Sequence, residues 1–182
     1  GNAILGAPSV HTYTIIDEDL RGAIRLSSAT YSVDESGPRV TITAQRIGGS
    51  SGAVGVKFAT ANGTAAAGSD YLSTAGTLSW ANGDTASKSF TVPITNDLLD
   101  ELNETFTLTL SAPSGGAALG SPSTGTVTIT DNDPAPTLRF SQAASSGAES
   151  TTPAVINVSL SAASCQTITV AYATANGTAV SG

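Results

Sequence analysis

Carboxylates are the residues of this chain best placed to do chemistry. Between residues 21 and 134 stand ten of them: Asp34, Glu35, Asp70, Asp84, Asp97, Asp100, Glu101, Glu104, Asp131 and Asp133. Their spacing is uneven. Asp97, Asp100, Glu101 and Glu104 crowd one short stretch, Asp131 and Asp133 form a second group, and Glu35 and Asp70 stand apart. Like charges a few ångströms apart repel and raise one another's pKa, so acids brought together call for a counter-ion. An all-oxygen donor set of high coordination suits Ca²⁺. Mg²⁺ keeps more of its waters, and zinc prefers His or Cys. The single His, His11, lies outside this stretch, and the single Cys, Cys165, makes neither an internal disulfide nor a thiolate zinc site. No nucleophile and base pair assembles around His11, which reads as an exposed strand residue, so no enzymatic activity is expected.

The elements that must position these acids are strands. Val40, Ile42 and Ala44 alternate with Thr41, Thr43 and Gln45. The same period of two runs through Val54–Ala59, Phe90–Thr95, Thr105–Leu110 and Thr126–Thr130. Each run puts an apolar row on one face and mostly Thr on the other, as half-solvated antiparallel strands require. Shorter strands are expected around Ala23–Leu26, Tyr31–Val33 and Thr77–Trp80, with turns at Ile47–Ser50, Asn62-Gly63, Asn82-Gly83 and Ser114–Gly116. Pro93 inside its strand marks an edge or a bulge. About seven short strands per unit predict an all-β, immunoglobulin-like Greek-key sandwich. Trp80 and Tyr71 read as core or end-cap aromatics. In that topology the loop holding Asp97–Glu104, the end of the last strand, the start of the Val40 strand and the end of the Val54 strand share one pole. Glu35, Asp70, Asp97, Asp100, Glu101, Glu104, Asp131 and Asp133 are then all delivered to it.

The chain also repeats itself. Ala59–Ala65 and Ala173–Ala179 are identical runs of seven residues at an offset of 114 (173 − 59). Leu5–Asp19 and Leu119–Asp133 match at the same offset (119 − 5), as do Arg25 and Arg139. A domain-sized tandem unit follows. Residues 1–20 are read as the C-terminal strand of a preceding repeat, 21–134 as a complete sandwich, and 135–182 as the N-terminal part of a following repeat. The sequence has 182 residues, no Met and no basic-then-apolar leader pattern, and is expected to be a processed product or a window of a longer chain.

The order of Val33-Asp34-Glu35-Ser36, Phe58–Ala65, Gly68-Ser69-Asp70-Tyr71, Asp100–Phe106 and Thr128–Asp133 resembles the Calx-beta domain. The resemblance implies a sandwich with Ca²⁺ at one end, held by Glu35, Asp70, Asp97, Glu101, Glu104, Asp131 and Asp133. It also marks two departures: Asn96 and Asn132 stand where the family carries Asp, which lowers the negative charge of the site. Composition narrows the partners further. The formal net charge is −7 with a pI near 4.3, which leaves no basic footprint for nucleic acid or a membrane surface. Only 12% of residues are charged, and Gly, Ser, Thr and Ala take their place. The expected function is a calcium-binding structural or adhesive repeat of a secreted or cell-surface protein. Its partners would be neighbouring repeats of the same or identical chains, or a surface or matrix receptor. The alternatives are a calcium-sensing module and a filament subunit whose end pieces are completed by neighbouring chains.

Overall fold

Alternation of apolar and threonine side chains is satisfied by two sheets packed face to face. The structure, a computed structural model, describes residues 1–16, 19–150 and 153–178. Its strands are β1 (Ala23–Leu26), β2 (Thr30–Asp34), β3 (Arg39–Ile47), β4 (Val54–Asn62), β5 (Ala75–Trp80), β6 (Lys88–Pro93), β7 (Glu104–Ser114), β8 (Ala118–Leu119), β9 (Thr124–Thr130), β10 (Leu138–Phe140) and β11 (Val158–Leu160). One sheet has the order β6-β3-β1-β8 and the other β2-β9-β7-β4-β5. Pro93 lies on β6, an edge strand, where its missing N–H costs no ladder bond.

The inward rows of the two sheets make the core. Ile24, Leu26, Ile42, Val92, Phe106, Leu108 and Val127 are fully buried, and Trp80 and Tyr71 are 1% exposed. Each such side chain contributes on the order of 2 kcal/mol by leaving water. The two short opening strands, expected at Ala23–Leu26 and Tyr31–Val33, form as β1 and β2 but in different sheets. After β1 pairs with β3, the chain crosses to the other sheet, and β2 runs parallel to β9.

Ladder register fixes the poles. Arg39 pairs with Pro93, so β3 begins where β6 ends. Asn62 pairs with Phe106, Glu104 with Ile129, and Asp34 with Thr130. The ends of β2, β4, β6 and β9 and the starts of β3 and β7 therefore share one pole. The opposite pole is closed differently. Arg46 is 3% exposed and donates to backbone carbonyls alone: Arg21 (2.9 and 3.1 Å), Ser51 (2.7 Å), Gly52 (3.1 Å), Ala81 and Asp84 (3.3 Å each).

Residues 1–16 form no strand and are exposed throughout, with Tyr13 and Ile15 more than four-fifths exposed. The strand expected there, His11 included, is not formed among the described residues. A last strand takes its ladder bonds from neighbours, as β9 does from β2 and β7; among the described residues, 1–16 pair with no strand. In the third segment β10 and β11 pair as Leu138↔Leu160, Arg139↔Ser159 and Phe140↔Val158. Shifted by 114, these are Ile24↔Arg46, Arg25↔Gln45 and Leu26↔Ala44, the β1–β3 register. The third segment thus opens by the same ladder as the complete sandwich.

Arg46→Met keeps the length of the side chain but strands its carbonyl partners. It should lower the stability of the sandwich by about 3–5 kcal/mol in a denaturant titration, with the slope of the transition unchanged.

Candidate metal centre

Several of the acids at the pole are placed by local hydrogen bonds. Asn62 at the end of β4 accepts from the Tyr71 hydroxyl (2.7 Å) and the Ala67 amide (3.0 Å). Tyr71 in turn stacks on Phe106 with centroids 4.2 Å apart. Gly63 is required here, because a Cβ would lie 2.4 Å from the Thr105 carbonyl oxygen. The Thr64 hydroxyl accepts from the Thr105 amide at 2.7 Å and ties the turn to β7. This clip holds Asp70, whose Oδ2 accepts from the Ala66 amide at 2.6 Å. Glu35 follows β2, and its own amide donates to the Thr130 carbonyl. Its Oε1 accepts from the Asp97 amide at 3.0 Å, which joins the loop after β6 to the end of β2. The Asp97 Oδ1 accepts from the Leu99 amide at 2.8 Å. Asn103 holds the end of β9 by accepting from the Asp131 amide at 3.1 Å.

The result is two carboxylate groups side by side. In one, oxygens of Glu35, Asp97 and Asp133 lie within 4.8 Å of one another; in the other, oxygens of Asp70, Glu101 and Glu104 do. Glu35, Asp70, Glu101, Glu104 and Asp131 also line an enclosed cleft of about 10 Å³. That is room for about one water-sized occupant, not for an organic ligand. None of the eight expected acids is ion-paired among the described residues; the Lys88–Asp84 pair, at 2.8 Å, lies elsewhere. The Asp133 Oδ2 is buried with no hydrogen-bond partner. An unpartnered buried carboxylate oxygen is costly, and a cleft of single-ion size whose polar lining is carboxylate, with Leu102 and Ile129 completing it, fits a hard cation.

Electrostatics follow from the crowding. Burial, a hydrogen bond with Asp70 and the charges of Asp70, Glu101 and Glu35 push Glu104 up to about 7. Burial raises Glu35, which is 7% exposed, and the charges of Asp97, Asp133 and Asp131 add to the shift against the opposing Asp97 amide. Asp133 is raised by burial and by Asp131, Asp97 and Asp100.

Two expected site residues stand outside both groups. Asp131 lines the cleft, and its Oδ1 accepts from the Asp133 amide. Asp100 is the larger departure. It is 5% exposed and turned toward residues 164–166 of the third segment. Asp17 lies outside the described residues. The two departures from the resembled family sit together, since the Asn132 Nδ2 is 3.5 Å from the Asn96 Oδ1 and 3.3 Å from the Asp34 Oδ1. Neutral amides here can bond to each other where two acids would repel. Cys165 is exposed, and its thiol donates to Glu101, whose carboxylate pushes it up to about 11.

A family model for the Calx-beta domain matches residues 17–133 and again 131–182. The chain belongs to the Calx-beta domain family. It is 34% identical over 186 residues to sodium/calcium exchanger 1 of Felis catus, an alignment that covers 92% of this chain and 19% of the exchanger. It is 37% identical over 119 residues to adhesion G-protein coupled receptor V1 of Danio rerio, across 64% of this chain and 2% of the receptor. The chain thus spans no more than about a fifth of these curated relatives. Among solved structures, the apo-form Calx CBD1 domain superposes with a TM-score of 0.58 at 32% identity, over 61% of this chain and 99% of that one. The calcium binding domain CBD12 of CALX1.1 gives 0.59 at 30% identity, over 65% and 48%. A Calx-beta β-sandwich is therefore the fold of residues 23–130. No helix of the described residues is long and apolar enough to cross a membrane.

A raised carboxyl pKa makes the folded state hold protons that the unfolded chain has released. For Glu104 the stabilisation is complete below its ordinary 4.5 and is lost as pH rises toward about 7; Glu35 and Asp133 act in the same sense. The melting temperature of the protein in chelator should therefore fall between pH 5 and pH 7.5. Thermal melts with and without Ca²⁺ check this. Saturating Ca²⁺ keeps these carboxylates ionised in the folded state and should reduce or reverse the slope.

Proposed function

We propose that this Calx-beta unit binds Ca²⁺ at two adjoining sites, Glu35–Asp97–Asp133 and Asp70–Glu101–Glu104, and that the ions fix the acidic pole and the joint to the next repeat. The observation that carries this reading is the buried, unpartnered Asp133 Oδ2 within a group of carboxylates that no Lys, Arg or His neutralises. Bound Ca²⁺ supplies the missing positive charge. The chain's own residues supply the rest: the Asn62–Tyr71 clip sets Asp70, the Glu35–Asp97 bond ties two loops, and the ladder β2–β9–β7 sets their spacing. With Asn96 and Asn132 neutral, the affinity expected is that of an extracellular module, roughly 10⁻⁴–10⁻³ M.

The biological role proposed is structural: a calcium-stiffened repeat of a secreted or cell-surface protein, working in adhesion or in a filament. Tandem copies at constant offset, the low charged fraction and the match to an adhesion receptor support it. A calcium-sensing module is the second reading. It is favoured by the exchanger alignment, which runs through both repeat segments over 92% of the chain. Calcium affinity separates the two. A structural repeat stays saturated at millimolar Ca²⁺, whereas a sensor switches at micromolar levels.

Calcium at about a hundred times its dissociation constant should stabilise the fold by about 2.7 kcal/mol for each occupied site, a rise in melting temperature of roughly 10 °C per site. Asp97→Asn/Glu101→Gln takes one ligand from each group and should abolish the rise. Equal melting of wild type and variant, with and without Ca²⁺, would sink the metal reading.

A further inference from the structure

Asp100 has chemistry that the metal reading leaves unused. It follows Leu99 in the acidic loop, yet it joins neither carboxylate group. Its carboxylate is 5% exposed and already partnered: Oδ2 accepts from the Ser164 hydroxyl at 2.7 Å, and Oδ1 is 3.4 Å from the Gln166 Nε2. Its main chain is engaged by the same segment. The Asp100 carbonyl accepts from the Cys165 amide at 3.0 Å and from the Ser164 hydroxyl at 3.2 Å, and Asp100 and Ser164 form a parallel bridge. The Ser164 hydroxyl also accepts from the Gln166 amide, which folds the segment around its own anchor. Ser164–Gln166 lie in the stretch matched a second time by the Calx-beta model, so this contact crosses from one repeat to the next.

We propose that Asp100 is the docking anchor of the inter-repeat joint, the seat on which the Ser164–Gln166 turn of the following repeat is latched, and not a calcium ligand. A carboxylate buried by the partner segment and satisfied by a hydroxyl and a carboxamide is a charge-assisted recognition site. It is closed on both sides, since the backbone of one strand end bonds the backbone of the other. The position of the turn fits the repeat. Ser164 and Cys165 fall, at the 114 offset, on Ser50 and Ser51 in the turn between β3 and β4. In the complete sandwich that turn lines an open recess of about 430 Å³ together with Asp19 and Leu20, the residues by which the chain arrives from the preceding unit. The β3–β4 turn is thus the face that a repeat offers to the unit before it. The joint adjoins the proposed calcium sites, because Asp100 is followed directly by Glu101 of the second carboxylate group, but the latch itself needs no ion.

The test uses the whole 182-residue chain and reads amide hydrogen exchange at Cys165 by NMR, in chelator and in Ca²⁺. Asp100→Ala, and Ser164→Ala from the other side, should each speed exchange of the Cys165 amide by about tenfold in both conditions. The calcium-induced melting shift should be unchanged in both variants. Asp97→Asn/Glu101→Gln should lose the calcium shift and keep the Cys165 amide protected. Unchanged exchange in Asp100→Ala and Ser164→Ala, or loss of calcium binding in Asp100→Ala, overturns the proposal. A protected Cys165 in a wild type that shows no calcium response sinks the calcium reading alone and leaves the latch standing.

Discussion

Crowding of like charge is the constraint on which the acidic pole depends. Two unit charges 4 Å apart interact by about 4 kcal/mol at the effective dielectric of a protein surface, and here two triads of carboxylate oxygens lie within 4.8 Å. Three separate hydrogen-bonded devices hold them there: the β2–β9–β7 ladder, the Glu35–Asp97 bond and the Asn62–Tyr71 clip. None of these depends on a cation, so the pole is built before it is neutralised. Burial, the Asp70 hydrogen bond and the charges of Asp70, Glu101 and Glu35 push Glu104 up to about 7, so near neutral pH a proton takes part in neutralising the pole. Protons and a divalent ion compete for the same oxygens.

The two ends of the sandwich solve opposite problems. At one, Arg46 carries a fixed positive charge into the interior and is surrounded by carbonyl dipoles alone. Three chain segments, with five carbonyls between them, are drawn onto one planar donor, whose fork geometry suits several acceptors at once. At the other, the loops bring acceptors and leave the cation to solution. The first end is closed in every condition, while the second is complete only when something positive arrives. Any calcium dependence of stability therefore belongs to the acidic end.

Much of this was legible in the residues, for identifiable reasons. Alternation in Val40–Ala44 or Phe106–Leu110 has only one physical outlet, a half-buried strand. Once strand order is granted, antiparallel register decides which loop reaches which pole, and all eight acids follow. What strand order does not reveal is side-chain direction. Asp100 and Glu101 are adjacent, yet one turns to Ser164 and the other to Glu104, and no periodicity operates in an irregular loop to separate them. The crossing of the chain between sheets after Leu26 was equally hidden, because β1 and β2 are too short for alternation to show a change of face. Arg46 was hidden in another way: a lone Arg on an alternating strand reads as solvent-facing until five carbonyls are seen to converge on it. The expected strand in residues 1–20 had the right pattern but no neighbours, and pattern without a partner does not make a ladder.

The repeat itself turns a local site into a joint. Asp131 and Asp133 follow the last strand of the complete sandwich and open the connection to the third segment; only residues 134–137, two of them Pro, separate Asp133 from β10. The five steps from Asp133 to Leu138 span at most about 18 Å, so the start of β10 cannot stray far from the carboxylates whatever the solvent contains. The β3–β4-equivalent turn then lands on Asp100, next to Glu101 in the neighbouring group. The following unit is held at two places, one covalent and one through hydrogen bonds, on either side of the acidic cleft. A rigid body fixed at a single point swivels, whereas one fixed at two retains only rotation about the line between them. On the proposed calcium reading, an ion that orders the loop carrying Asp97, Asp100 and Glu101 would act on the second of those points, and no separate linker element would be needed to couple the two segments.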